Sequence, residues 1–108
     1  MYKIISEHKK AAGVVGMATK AGKVICGYEP IKRNFRTKAM KAYAIVVSTS
    51  LSDRALERIC KLGEEYQVPI VHSGQTSEEL AKMVGRPTKS LVASVAILDE
   101  DMAAPLLI

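Results

Sequence analysis

The hydrophobic residues of this chain fall into two kinds of pattern, and the two kinds alternate along it. Short continuous apolar runs are typical of buried β-strands, whereas apolar residues spaced three and four apart are typical of amphipathic helices. The predicted strands lie at 23–26, 42–48, 68–71 and 90–98. The predicted helices lie at about 6–20, 29–38, 50 or 52 to 63, and 77–84. This alternation predicts a single α/β domain over residues 1–108, a three-layer α/β/α sandwich with a sheet of about four strands.

Two of the predicted helices carry start signals of their own. Thr76 and Glu79 stand at the spacing of a capping box, and Gly85 is suited to close the helix that they open. Ser50 and Asp53 form a weaker version of the same signal at the start of the third helix.

The second predicted helix combines a buried stripe with a basic surface. Ile31 and Phe35 lie four residues apart, so both are expected to face the core. Lys32, Arg33 and Arg36 then fall on the open faces of the helix.

Charge is distributed unevenly along the chain. Residues 1–41 carry ten Lys or Arg and only two acids, Glu7 and Glu29, for a net charge of +8. Residues 42–108 carry six basic and nine acidic residues, net −3, so the whole chain is +5. A basic excess in one part predicts a partner rich in phosphate, with nucleic acid the first candidate and an anionic membrane surface the second.

Glu29 stands out in this basic segment, and two interpretations of it are open. A carboxylate repels phosphate but accepts hydrogen bonds from base N–H groups, so one acid among cations indicates base reading. Alternatively, Glu29 is an ordinary first-turn acid that interacts with the dipole of its helix. The residue pattern alone is compatible with both.

Composition and motifs exclude several classes of function. The chain has no nucleophile elbow, phosphate-binding loop, zinc-protease motif or dinucleotide fingerprint, and neither His8 nor His72 stands in a catalytic motif. We therefore expect no enzymatic activity, no metal and no cofactor. Cys26 and Cys60 lack metal-like spacing and are each preceded by isoleucine, which predicts buried free thiols in a reducing cytosol.

The chain is expected to be cytoplasmic and not to associate with membranes. No signal peptide is recognisable at its start, and no apolar stretch approaches the roughly 20 residues that a membrane span needs.

A second basic segment, Gly85-Arg86-Pro87-Thr88-Lys89, follows the fourth predicted helix. It reads as a loop with two positive charges. If this loop and the start of the second helix share one end of the sandwich, the two basic segments lie side by side, which is a conjecture at this stage.

The acidic triplet at 99–101 is interpreted as a helix cap rather than as a loose divalent-ion site.

Six short motifs follow one another in a particular order between residues 13 and 98. They occupy residues 16–24, 27–29, 32–33, 64–70, 79–82 and 85–87. In their order and spacing they resemble the kink-turn RNA-binding ribosomal proteins of the archaeal L-seven-Ae and L-thirty-e type, especially the short bacterial YlxQ-like members. The resemblance implies a mixed four-stranded sheet and RNA recognition by the start of the second helix together with a late hydrophobic loop.

The family signature, Gly-x-Asn-Glu-x-x-Lys, implies roles for particular residues. It reads tandem sheared G·A pairs in a sharply bent internal loop. Glu29 and Lys32 match its Glu and Lys, and Arg33 shares the role of Lys32 because the basic residue can fall one place later in short bacterial forms. Gly27 lies one place later than the family glycine, and Tyr28 stands where the family has Asn. The segment 86–89 matches the late loop but is more polar than is usual there.

We therefore expect a non-enzymatic, monomeric RNA-binding protein that recognises a kinked, G·A-rich RNA element and is associated with the ribosome or with translation. The expected RNA contacts are Gly27, Tyr28, Glu29, Lys32, Arg33, Arg36, Arg86, Pro87, Thr88 and Lys89. The alternative is a protein-interaction module on the same fold that has lost specific RNA binding. Tyr28 and the apolar end of the chain, Leu106-Leu107-Ile108, favour that alternative.

Overall fold

A computed structural model describes residues 4–5, 10–87 and 91–107. The strands are β1 (Ile4–Ile5), β2 (Val24–Cys26), β3 (Ala44–Val47), β4 (Ile70–His72) and β5 (Ser94–Ile97). The helices are α1 (Ala11–Lys20), α2 (Tyr28–Thr37), α3 (Asp53–Tyr66), α4 (Ser77–Met83) and α5 (Glu100–Ala103), followed by a 3-10 turn over Ala104–Leu107. The predicted start of the first helix, at residue 6, lies outside the described residues.

The strands form one mixed sheet in the order β1-β4-β3-β5-β2. The central strand β3 runs parallel to β4 and antiparallel to β5, and β2 runs antiparallel to β5. The four predicted strands correspond to β2–β5, so the mixed sheet expected from the sequence is confirmed. The two-residue strand β1 adds a fifth member, parallel to β4, that is too short to give a recognisable apolar pattern.

Alternate residues of the central strand face opposite layers, as the pleat of a strand requires. Ala44 and Val46 belong to a core cluster that contains buried residues of α1, α4 and α5. Ile45 and Val47 belong to a second cluster with the buried residues of α2 and α3, including Ile31 and Phe35 as predicted. Helices therefore cover both faces of the sheet, and the predicted three-layer α/β/α sandwich is confirmed.

The capping box predicted at Thr76 and Glu79 is present at the start of α4. The Glu79 N–H donates to Thr76 Oγ1 at 3.1 Å, and the Thr76 N–H donates to Glu79 Oε1 at 2.9 Å. The weaker box predicted for Ser50 and Asp53 is wrong, because Ser52 caps α3 by accepting from the Ala55 N–H. The Ser50 hydroxyl instead accepts from the Ser77 N–H, at 3.3 Å.

Helix α3 ends three residues later than predicted. Gly63 lies inside it, buried, and the helix continues to Tyr66, whose ring stacks on Phe35 with the ring centroids 4.6 Å apart. Gln67 closes the helix in the left-handed conformation, at φ 56°. The predicted end at Gly63 is wrong, because the chain turns out of the helix only at Gln67.

The burial of three side chains, those of Cys60, Leu91 and Leu106, differs from what the sequence predicted. Cys26 is buried as predicted, but Cys60 is only half-buried, and both thiols are free. Burial raises the pKa of both thiols. Leu91, predicted to lie in a buried strand, precedes β5 and is 58% exposed. Leu106 is fully buried in the core, so the end of the chain is in part a core element.

None of the helices in the described ranges combines the length and the apolar character that a membrane crossing requires.

Candidate functional site

The start of α2 follows directly from β2 through a single glycine. Gly27 has φ 93° and ψ 152°, a backbone conformation that side-chain-bearing residues rarely adopt. Its N–H donates to the carbonyl of Ser94 at 2.9 Å, which ties the turn to the first residue of β5. Pro30 stands in the first turn of the helix, where its missing N–H leaves no partner unsatisfied. The turn therefore projects Tyr28 and Glu29 from one end of the sheet.

Glu29 lies in the first turn of α2, and its side chain is 70% exposed. Its Oε1 atom is 3.6 Å from Nη2 of Arg58 on α3, in an ion pair whose two members are both open to solvent. Such surface pairs contribute about 0–1 kcal/mol to stability. The carboxylate is therefore neither turned into the protein nor engaged in capping its own helix.

Tyr28 is half-buried between α2 and α3, beneath two cations. The guanidinium carbon of Arg58 lies 4.1 Å from the centroid of the Tyr28 ring, and Nζ of Lys32 lies 5.8 Å from it. Both distances are within the range of cation–π attraction. The ring is therefore a support for positive charge beside Glu29, which the sequence analysis did not anticipate.

The basic side chains of α2 border an open groove. Glu29, Lys32, Arg33, Arg36 and Thr37 line a surface depression of about 500 Å³ along the helix. Arg33 and Arg36 are exposed, as predicted, and Lys32 is half-buried because it leans toward the Tyr28 ring. The six residues that the sequence singled out between Gly27 and Arg36 thus lie on α2 and on the glycine that precedes it.

The chain that follows the late basic loop returns to the sheet beside the start of α2, where the Ser94 carbonyl accepts from the Gly27 N–H at 2.9 Å. Burial raises the pKa of the Cys26 thiol, and the charge of Arg86 lowers it by a smaller amount. The conjectured proximity of Arg86 itself to the start of α2 stays a prediction. Arg86 and Pro87 are exposed. Thr88 and Lys89 lie outside the described residues.

The chain segment before β5 also borders the site. Ala93 and Ser94 line a crevice of about 80 Å³ together with Tyr28 of α2 and Arg58 of α3. Leu91, two residues before Ala93 in the sequence, exposes its apolar side chain to solvent. The late segment therefore offers one exposed apolar residue that the sequence pattern assigned to the core.

Arg58 is the residue of this site that sequence reasoning missed. It touches both Tyr28 and Glu29, although about 30 positions of sequence separate it from them. Its neighbours Leu56 and Ile59 belong to the apolar stripe of α3, which predicts only that Arg58 faces outward. The contact depends on how α2 and α3 pack against the same face of the sheet, and no local signal carries that information.

Metal chemistry finds no support in the described residues. No group of three His, Cys, Asp or Glu side chains there is arranged to hold a metal ion. Asp99 caps α5 by accepting from the Met102 N–H at 3.0 Å, as the cap interpretation of the acidic triplet predicted. His72 is half-buried at the end of β4, and His8 lies outside the described residues.

Comparisons with known proteins agree on the fold and the family. Residues 9–106 match the model of the family described as ribosomal protein L7Ae/L30e/S12e/Gadd45. The chain is 28% identical to the RNA-binding protein YlxQ of Enterococcus faecium over 81 residues, which cover 75% of this chain and 76% of the relative. The resemblance read from the motifs is thereby confirmed.

Two solved structures share the fold. One, a Bacillus halodurans protein of unknown function, superposes with a TM-score of 0.76 at 15% identity, covering 93% of this chain and 95% of its own. The other, the 15.5kD RNA binding protein of Giardia lamblia, superposes with a TM-score of 0.68 at 13% identity, covering 91% and 79%. At these identities the superpositions establish the fold alone.

Proposed function

This chain belongs to the ribosomal protein L7Ae/L30e/S12e/Gadd45 family, and from that premise we propose that it binds RNA, with a kinked, G·A-rich internal loop as its target. The similar protein of Enterococcus faecium is named as RNA-binding, and so is the Giardia lamblia neighbour. The observation that carries the proposal is the exposed carboxylate of Glu29 among the cations of α2.

The cations and the carboxylate have different tasks in this proposal. Lys32, Arg33 and Arg36 border an open groove, where they can hold phosphates and so fix the position of the RNA. Glu29 cannot contact phosphate favourably, but it accepts hydrogen bonds from N–H groups on a base edge. Affinity thus comes mainly from the cations and discrimination mainly from the acid.

An internal loop suits this surface better than a regular duplex does. The major groove of an RNA helix is deep and narrow, so the side chains at the start of α2 cannot reach base edges in it. A sharp bend at tandem G·A pairs opens the groove and exposes guanine N–H donors. In this proposal the exposed carboxylate of Glu29, in the first turn of its helix, accepts from such donors.

The late loop completes the proposed interface. Arg86 and Pro87 are exposed, and in this proposal Arg86 supplies a further cation to the RNA. We assign Thr88 and Lys89 to the interface from their position in the sequence. In this proposal the protein acts as a non-enzymatic cytoplasmic monomer associated with the ribosome or with translation.

The direct test is a gel-shift titration of the wild-type protein with a standard kink-turn RNA and with the same RNA carrying disrupted G·A pairs, at one fixed salt concentration. We expect clearly tighter binding to the intact kink-turn. Equal affinities for the two RNAs would contradict kink-turn recognition, and no measurable affinity for either would contradict RNA binding by this surface.

The structure weakens the alternative of a protein-interaction module. Leu106 is buried in the core and is not available to a partner. Tyr28 is half-buried and its ring is covered by cations, so it is not a free aromatic contact. A pull-down from lysate with and without ribonuclease separates the two functions, because partners that survive digestion favour protein interaction and partners lost with the RNA favour the proposed function.

A further inference from the structure

We infer that Arg58 is a specificity-determining residue that reads the same guanine as Glu29, an inference that rests on the RNA-binding function proposed above. Arg58 comes from α3, outside the segment that the sequence motifs assign to recognition. It is the described residue that contacts both Tyr28 and Glu29, the two side chains at the very start of α2.

The hydrogen-bonding capacity of Arg58 remains available in this structure. Its Nη2 atom is 3.6 Å from Glu29 Oε1, which exceeds the roughly 2.7–3.2 Å of an N–H···O hydrogen bond. Within residues 10–87 and 91–107, no hydrogen bond to another side chain or carbonyl holds the guanidinium. Its N–H groups can therefore turn to a ligand without breaking a hydrogen bond within the protein, and only the solvent-exposed ion pair with Glu29 rearranges.

Tyr28 positions the guanidinium without using those N–H groups. The guanidinium carbon lies over the Tyr28 ring, 4.1 Å from the ring centroid, and this cation–π contact needs no N–H donor. The Nη2 atom lies 3.6 Å from the Glu29 carboxylate, and 53% of the Arg58 side chain is exposed to solvent. Tyr28 has no amide of its own to donate to a base, and the structure supplies a donor next to it from another helix.

A carboxylate beside a guanidinium matches one base edge in particular. Along its Watson–Crick edge, guanine presents the O6 acceptor, then the N1–H donor, then the N2–H donors. Glu29 can accept from N1–H and N2–H while Arg58 donates to O6. Adenine, cytosine and uracil do not present one acceptor followed by two donors, so the pair discriminates through both partners at once.

Three single variants test the inference by the ratio of dissociation constants for G·A-disrupted and intact kink-turn RNA. Arg58→Ala and Arg58→Lys are expected to lower this ratio about tenfold, because lysine keeps the charge but loses the planar donor edge. Arg54→Ala is the matched control, since Arg54 is an exposed arginine one turn earlier on α3 and its removal costs the same charge. It is expected to leave the ratio unchanged.

A double variant tests whether the two residues share one guanine. If they do, Glu29→Ala combined with Arg58→Ala loses little more discrimination than the stronger single variant, because each change alone already breaks the joint contact. Independent contacts would give additive losses and would overturn the inference.

The outcomes separate this inference from the proposed function. If Arg58→Ala or Arg58→Lys discriminates between the two RNAs as well as the wild type does, while Glu29→Ala does not, the role of Arg58 is overturned. The proposed function then still stands. Equal weakening of both RNAs by Arg58→Ala and Arg54→Ala also overturns it, because that result describes a nonspecific charge effect. A wild-type protein that does not discriminate between the RNAs overturns both proposals.

Discussion

The starts of α2 and α4 each carry an acid in the first turn, but they use it differently. At α4, Glu79 and Thr76 exchange hydrogen bonds between side chain and backbone, so the helix end is satisfied by its own residues. At α2, the capping position is Gly27, which has no side chain, and Glu29 points to Arg58 on a neighbouring helix. The partner of a first-turn acid, and not its position, thus distinguishes a capping acid from one that is available to a ligand.

The two interpretations of Glu29 that the sequence left open can be compared on this basis. Glu29 does lie where the helix dipole favours a negative charge, an effect of about 0.3–1 kcal/mol. A purely structural acid at this position would resemble Glu79, with its carboxylate held by backbone N–H groups. Glu29 instead exposes 70% of its side chain among cations. The dipole effect does not exclude base reading, and the exposure of the Glu29 side chain is the observation that favours base reading.

The largest effect on stability is expected at Gly27, because α2 begins through its unusual backbone and not through a side-chain cap. A Cβ at this position would lie 3.6 Å from Pro30 Cδ, an ordinary contact, so the cost comes from φ 93° and not from a clash. We expect Gly27→Ala to lower the free energy of unfolding by about 1–3 kcal/mol. Urea denaturation followed by circular dichroism measures this.

Gly13 provides the matched control for that variant. It lies in the first turn of α1, exposed, and a Cβ there would meet nothing within 4 Å. Gly13→Ala is expected to raise the free energy of unfolding by up to about 1 kcal/mol, since alanine is the better helix former. If both variants changed stability in the same direction, the special role of the Gly27 backbone would be wrong.

The next effect concerns α4, whose start depends on its capping box. Thr76→Ala removes the side-chain acceptor for the Glu79 N–H, and we expect a loss of about 1 kcal/mol in the free energy of unfolding. The affinity for RNA should not change, because this helix end has no part in the proposed interface. A loss of kink-turn affinity in a folded Thr76→Ala protein would break the contrast between the two helix starts.

A smaller and separate effect is expected from the cations of α2. If Lys32 and Arg33 each contact one phosphate, each alanine variant should reduce the slope of log affinity against log salt concentration by about 0.7–0.9. Fluorescence anisotropy over a range of salt concentrations measures this slope. Arg54→Ala serves again as the control for loss of one charge outside the groove, and an unchanged slope for Lys32→Ala and Arg33→Ala would place both side chains away from the RNA.

Local sequence signals predicted much of the fold because they act between near neighbours. The Thr76–Glu79 box and the Ile31–Phe35 stripe each involve residues three or four positions apart, and both are present as predicted. The continuous apolar run of β3 predicted a strand covered on both faces, and all four of its residues are buried. Such features follow from helix and strand periods alone.

The parts that the sequence did not predict depend on packing between distant segments. Arg58 reaches Tyr28 and Glu29 only because α2 and α3 lie on the same face of the sheet. Leu91 continues an apolar run yet is exposed, because β5 begins only at Ser94. In each case the deciding contact lies outside the local pattern.

The central claim is that Glu29 discriminates between RNAs while contributing little to nonspecific binding. Its most direct test compares wild type and Glu29→Ala for affinity to an intact kink-turn RNA and to a plain duplex RNA, at one salt concentration. We predict that the variant loses about 1–3 kcal/mol for the kink-turn and almost nothing for the duplex. Equal losses on the two RNAs, or no loss on either, would contradict the claim.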